Sequence, residues 1–285
     1  MKNILVATDF SNNAYNALFF ATELFKERKC NFYLLNAYTE LTKLISQKVA
    51  AGSRPSLIEQ LSEESAEGLN EVYHRIHLDQ NNPLHQFKTL SRNGHLADIA
   101  NEAIDHYQID LMVMGHKGKA IVENLFIGST VSKAIDEISE CPLLIVPKEI
   151  ECRIPKEIAF ATDYRHPYDA GLIQPLKELT ALTGASVRIV HINEEERLST
   201  IQKTNLNTLR EYLTDIDHSI HWMPDFTNKS GVIRTFVDEL NIELLTMIKY
   251  EHGLFSQLIR EPVFHKLIFS LDIPFLVMPA GNSRS

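Results

Sequence analysis

Short runs of consecutive apolar residues alternate with longer amphipathic stretches along the whole chain. Short segments of this kind fall near 3–8, 31–37 (NFYLLNA), 85–91, 110–114 and 143–147, those at 31–37 and 143–146 being apolar and β-compatible. They are too short for helices and read as strands. Between them the apolar positions recur with helical spacing. Asn13–Lys29 puts Ala17, Phe20, Ala21, Leu24 and Phe25 on one stripe. Leu57–Ile76, Leu96–Tyr107 and a segment beginning at Val131 follow. The order then starts again. Strands are expected near 157–162, 186–192, 218–223, 242–248 and 274–278, and helices near 168–183, 197–215, 230–240 and 256–270. Such alternation predicts an α/β fold in which a parallel sheet carries helices on both faces.

The sequence itself also repeats. KNILVATD at 2–9 returns as KEIAFATD at 156–163, and CPLLIVP at 141–147 returns as IPFLVMP at 273–279. Both matches sit at element ends, where a shared fold would put them. A tandem duplication is the simplest account. It predicts one domain over 1–149 and a second over 153–281, each an open, Rossmann-like sheet of five parallel strands. The polar link near 148–155 is too short to let the halves drift apart.

Composition narrows the function. The chain has 285 residues, of which 44% are hydrophobic and 23% charged, as in ordinary globular proteins. Its net charge of −9 argues against nucleic acid and against an anionic membrane surface as partners. No apolar run approaches the ~20 residues of a membrane span. MKNILVATDF enters a strand directly, without the pattern of a secretory leader. Cys30, Cys141 and Cys152 suit neither a disulfide framework nor a zinc site, so a reducing cytoplasm is expected.

The chemistry concentrates between Gly115 and Ser129, GHKGKAIVENLFIGS. Its glycines fall as Gly-x2-Gly-x9-Gly, between an apparent strand and an apparent helix start. A glycine loop leading into a helix N-terminus suits an anion, because backbone N–H groups and the helix dipole both favour negative charge. Ser129 and Thr130 are also good helix caps, a role compatible with holding phosphate.

Gly-x2-Gly-x9-Gly-Ser after a fourth strand, with ATD closing the first, resembles the universal stress protein family in its tandem form. The resemblance implies an ATP-binding stress-response module. Thr8 and Asp9 would close the first strand, the aspartate lying near the ribose or a bound Mg2+. Ala37 would offer backbone groups to adenine. Met114 and Gly115 would border the ribose and first phosphate, and Gly118, Gly128, Ser129 and Thr130 would cradle the phosphates. His116 and Lys117 fill the variable positions, and Lys117 or Lys119 would add charge. The family dimerises through its last strand, so LLIVP and FLVMP would pair as an internal pseudo-dimer. A further homodimer of whole chains would follow the same pattern.

The second half breaks the motif. Ile248 falls near Gly115, Glu251 near Gly118, Arg260 near Gly128 and Glu261 near Ser129. Carboxylates facing phosphates are unfavourable, so one ATP site per chain is expected. Hydrolysis would be slow, since no general base or arginine finger is evident. The alternatives are a slow ATPase or nucleotidyl transferase, for which Asp9, His95 and His116 are the available bases, and a nucleotide-free interaction protein. His218 with His221, and His74 with His77, are weak metal candidates. Trp222 reads as core or interface.

Overall fold

The computed structural model describes residues 1–39, 54–116, 129–148, 152–224, 228–250, 267–268 and 270–280. In the first half β1 (Lys2–Ala7), α1 (Asn12–Leu24), β2 (Cys30–Tyr38), α2 (Arg54–Asp79), β3 (His85–Asn93), α3 (Leu96–Tyr107), β4 (Leu111–His116), α4 (Ser129–Glu137) and β5 (Leu143–Pro147) succeed one another. The second half continues with β6 (Glu157–Ala161), α5 (Ala170–Thr183), β7 (Ser186–Ile192), α6 (Thr200–Tyr212), β8 (His218–Met223), α7 (Lys229–Glu239), β9 (Leu244–Lys249) and β10 (Phe275–Pro279). The ten strands form a single sheet in the order β3-β2-β1-β4-β5-β10-β9-β6-β7-β8. Within each half every pairing is parallel. The halves meet where β5 and β10 pair antiparallel, Phe275 opposite Ile145, Leu276 opposite Leu144 and Val277 opposite Leu143. The expected pair of five-stranded sheets is therefore one continuous sheet with a pseudo-dyad at its centre.

The duplication extends to individual hydrogen bonds. Thr8 N–H donates to Leu35 O at 2.8 Å, and Thr162 N–H to Val190 O at 3.1 Å. Phe10 and Tyr164, each one residue past the ATD triplet, both take left-handed backbone, with φ of 64° and 57°. Each donates its N–H to the preceding threonine hydroxyl, at 3.0 and 3.3 Å. Gln108 and Asn241 end α3 and α7 in the same left-handed conformation. Asp110 N–H reaches Asn3 O, as Glu243 N–H reaches Glu157 O.

Two apolar layers sandwich the sheet, and both run across the join. One buries Ala17, Leu18 and Ala21 of α1 with Leu69 of α2, and continues through Leu144 and Leu276 to Leu176 of α5 and Leu209 of α6. The other buries Ala100 and Ile104 of α3 with Ala134 of α4, and continues through Ile145 and Phe275 to Ile233 of α7 and Leu267. His116, at the end of β4, belongs to this junction. It is only 3% exposed. Burial pulls its pKa down to about 4, against a smaller upward pull from the Asp272 carboxylate of the second half.

Several element ends differ from expectation. The helix expected over 13–29 stops at Leu24, where the Phe25 N–H closes onto Ala21 O and a tight turn hands the chain to β2. The helix expected over 197–215 divides. Glu195–Arg197 is a short 3-10 turn. Ser199 then opens α6 with a capping box to Gln202, which a continuous helix would forbid. The helix expected over 256–270 lies almost wholly outside the described residues.

Leu276 is 4% exposed and faces Leu144. Leu276→Asp buries an unpaired charge at the join, with an expected loss of about 3 kcal/mol; an unchanged urea midpoint would refute the pairing. His116 has a folded pKa below its ordinary value of 6.5. Its contribution is thus complete above pH 6.5 and lost as pH falls from there towards 4. Urea titrations at pH 7 and pH 4.5 should show this acid sensitivity reduced in His116→Phe.

Candidate functional site

The first strand is flanked by β2 and β4, and at its carboxyl end Ala7 lies opposite Leu35 on one side and Met114 on the other. The chain leaves β1 towards β2 but later returns to β4 on the opposite flank. That reversal opens a crevice at the strand ends, the usual ligand position in open α/β sheets. Thr8 and Asp9 follow β1 directly into it.

The turn there is tightly specified. Asn36 Nδ2 donates to Thr8 O at 2.7 Å, pinning the strand end. Asp9 Oδ1 accepts from the Ser11 N–H at 3.1 Å and from the Ser11 hydroxyl. Ser11 Oγ in turn accepts from Ala14 N–H at 3.3 Å and caps α1. One carboxylate oxygen thus serves the turn, as a structural aspartate would. Even so, the residue remains exposed at the crevice. Ala37 is half-buried and Met114 is 4% exposed, and both belong to the same apolar layer.

Gly115 has a reason that its spacing does not disclose. A Cβ there would stand 2.5 Å from Asn13 O and 2.7 Å from Asn13 C. The first turn of α1 therefore rests directly on β4, and only glycine permits it. The N-terminus of α1 is brought to the crevice, and α4 begins at Ser129, with Thr130 exposed. His116 goes elsewhere, into the junction between the halves. Gly118, Gly128, Lys117 and Lys119 lie outside the described residues.

The second half presents a different surface at the equivalent strand ends. Ala161 lies opposite Val190 and Met247, so Ile248 takes the place of Gly115 and Ile192 that of Ala37. Both isoleucines are buried. With a branched side chain on β9, the helix after the first strand starts late, at Ala170, behind a loop through Pro167. Tyr164, the counterpart of Phe10, is fully buried, whereas Phe10 is 40% exposed. Its ring stacks on His191 at 4.8 Å and lies 6.2 Å from Trp222. His191, in the place of Asn36, donates from Nδ1 to Thr162 O at 2.9 Å. That bond leaves its other nitrogen unprotonated, in keeping with a pKa lowered by burial. Tyr168 and Thr162 share a hydroxyl hydrogen bond, and His166 stacks on Tyr250 at 4.0 Å. Asp163 is drawn in to 8% exposure, with Arg165 Nε 3.9 Å from its carboxylate. Glu251, Arg260 and Glu261 lie outside the described residues. What closes these strand ends in the described structure is an aromatic lattice, which only the fold assembles.

The histidines singled out as weak metal candidates have other contacts. His221 bonds Ser219 Oγ at 2.8 Å, His218 bonds Ile216 O, and His77 packs on Tyr73. Among the described residues no group of three histidine, cysteine or acidic side chains could hold a metal ion. Nor, among them, is any helix long and apolar enough to cross a membrane.

Comparison with known proteins agrees with the fold. A universal stress protein from Archaeoglobus fulgidus superposes with a TM-score of 0.72 at 16% identity, over 98% of each chain. A Pseudomonas aeruginosa protein of unknown function superposes at 0.58 and 13% identity, over 98% of this chain and 92% of its own. The cytoplasmic domain of a prokaryotic cation chloride cotransporter reaches 0.52 at 12% identity, over 99% and 97%. At these identities the likeness shows the shared architecture alone. No curated protein matches the chain in sequence. The family model of the universal stress proteins matches residues 1–147, just over half of the chain and the whole of its first half. The chain belongs to the universal stress protein family.

Proposed function

We propose that the chain binds ATP at one site, in its first half, and works as a cytoplasmic stress-response module rather than as a dedicated enzyme. The observation that carries this is the asymmetry of the two sets of strand ends. In the first half an exposed Asp9, the small Ala37 and the start of α1 meet at the crevice beside β4, the strand that leads to the glycine motif. In the second half isoleucines, Tyr164, His191 and Trp222 pack into the corresponding positions.

On this reading residues 1–149 form the nucleotide-binding unit and 153–281 a partner unit. Adenine lies against Ala37, and Asp9 and Met114 face the ribose. Gly115, Gly118, Gly128, Ser129 and Thr130 offer backbone and hydroxyl groups to the phosphates. Mg2+ would arrive with the phosphates, since it is commonly held by one or two carboxylates plus phosphate oxygens. The residues present fit that division, with Asp9 as the protein's carboxylate. His116 is left out of the site because its ring is buried in the junction. Bound nucleotide would change the surface offered to partners.

Calorimetry with Mg-ATP should give one site per chain. Asp9→Asn should weaken binding roughly tenfold, the scale of a lost charge-assisted contact, and Gly128→Val should abolish it. Two sites per chain, or no heat and no thermal shift, would overturn the proposal. Steady release of ADP would move the reading to the slow ATPase.

A further inference from the structure

We infer that Lys249 of the second half is a positioning residue for the anion-facing helix of the first. This rests on the proposed nucleotide site and adds what the second half does for it. The observation is a cross-junction contact at the carboxyl end of α4. Lys249 Nζ donates to Ile135 O at 2.5 Å and to Asp136 O at 2.6 Å.

The last turn of α4 can be accounted for carbonyl by carbonyl. Ala134 O accepts from the Ile138 N–H at 3.0 Å. Glu137 O accepts from Asn101 Nδ2 of α3 at 3.1 Å. The remaining two carbonyls go to Lys249. No basic residue of α4 itself lies in that turn. The positive charge that complements the helix dipole therefore comes from the other half of the chain. A helix of nine residues is only about 13 Å long. It is marginal by itself and depends on such partners. Its far end begins at Ser129.

The reciprocal position carries a different side chain. Strand register makes His116 the counterpart of Lys249, since Met114 and Met247 hold equivalent places opposite Ala7 and Ala161. His116 is buried, and its pKa of about 4 leaves it neutral at physiological pH. A charged clamp thus crosses the join from β9 to the half that keeps the glycine motif, while a neutral ring occupies the reciprocal place. The degenerate copy holds the helix of the intact one, and the order of α4 depends on closure of the β5–β10 join.

The test compares the full-length protein with Lys249→Met and Lys249→Arg, by hydrogen exchange over residues 129–138 and by Mg-ATP calorimetry. In Lys249→Met the segment should exchange about tenfold faster and ATP should bind several-fold more weakly. Lys249→Arg, which keeps the charge, should restore both. Unchanged exchange overturns the inference, and so does faster exchange with unchanged affinity. If the wild-type protein binds no nucleotide, the proposed function fails alone. The exchange result then decides by itself whether Lys249 holds the helix.

Discussion

Three residue pairs on two five-residue strands join the halves, and the rest of the architecture follows from their direction. Because β5 and β10 run antiparallel, the carboxyl edge of one half lies beside the amino edge of the other. The end of β4 therefore meets the turn before β10, and the end of β9 meets the carboxyl end of α4. Had the strands paired in parallel, the two sets of loops would share one rim and no strand end would reach a helix terminus of the other half. The pairing also removes two apolar edges that would otherwise be open to other chains. It leaves β3 and β8 as the outer strands.

Given that join, the two copies are free to diverge at the opposite rims. Gly115 lets α1 settle onto β4, and Ser11 caps it beside Asp9. Ile248 excludes the same approach, so the chain spends extra residues before α5, and Tyr164 turns inwards onto His191 and Trp222. At equivalent strand ends the copies thus differ in where the next helix starts and in whether the aspartate is exposed. The hydrogen-bond scaffold beneath is the same in both halves, down to the threonine hydroxyl that receives the next-but-one N–H.

Much of this was legible in the chain. Apolar runs mark the inner strands to within two or three residues, because buried parallel strands need continuous hydrophobicity, whereas the outer β3 and β8 are partly exposed and mixed in sequence. The recurring ATD and the paired Pro-flanked runs announced the duplication. The glycine spacing led to the family. Boundaries that depend on capping were less visible. The early stop at Leu24 and the break before Ser199 come from local hydrogen bonds that compete with helix continuation. Glu251 and Glu261, which mark the second half as different in the chain, lie outside the described residues, and what the described strand ends carry instead is a packing of residues from the turn after β6 and from β7, β8 and β9. His116 sits inside the glycine motif in the chain, yet its side chain is buried at the junction. His116 shares a face of β4 with Met114, but at the strand end it is buried near Asp272 of the second half, a neighbour that motif spacing does not report.

The sequence by itself determined the elements, their order, the repeat and the family, because each of these is written in residue type and spacing along one line. Tertiary structure decided the antiparallel join, the contact of α1 with Gly115, the aromatic closure of the second half and the reach of Lys249 to α4. Each of those depends on residues far apart in the chain whose meeting follows from sheet order and twist. No periodicity encodes such a meeting, and only the folded chain brings it about.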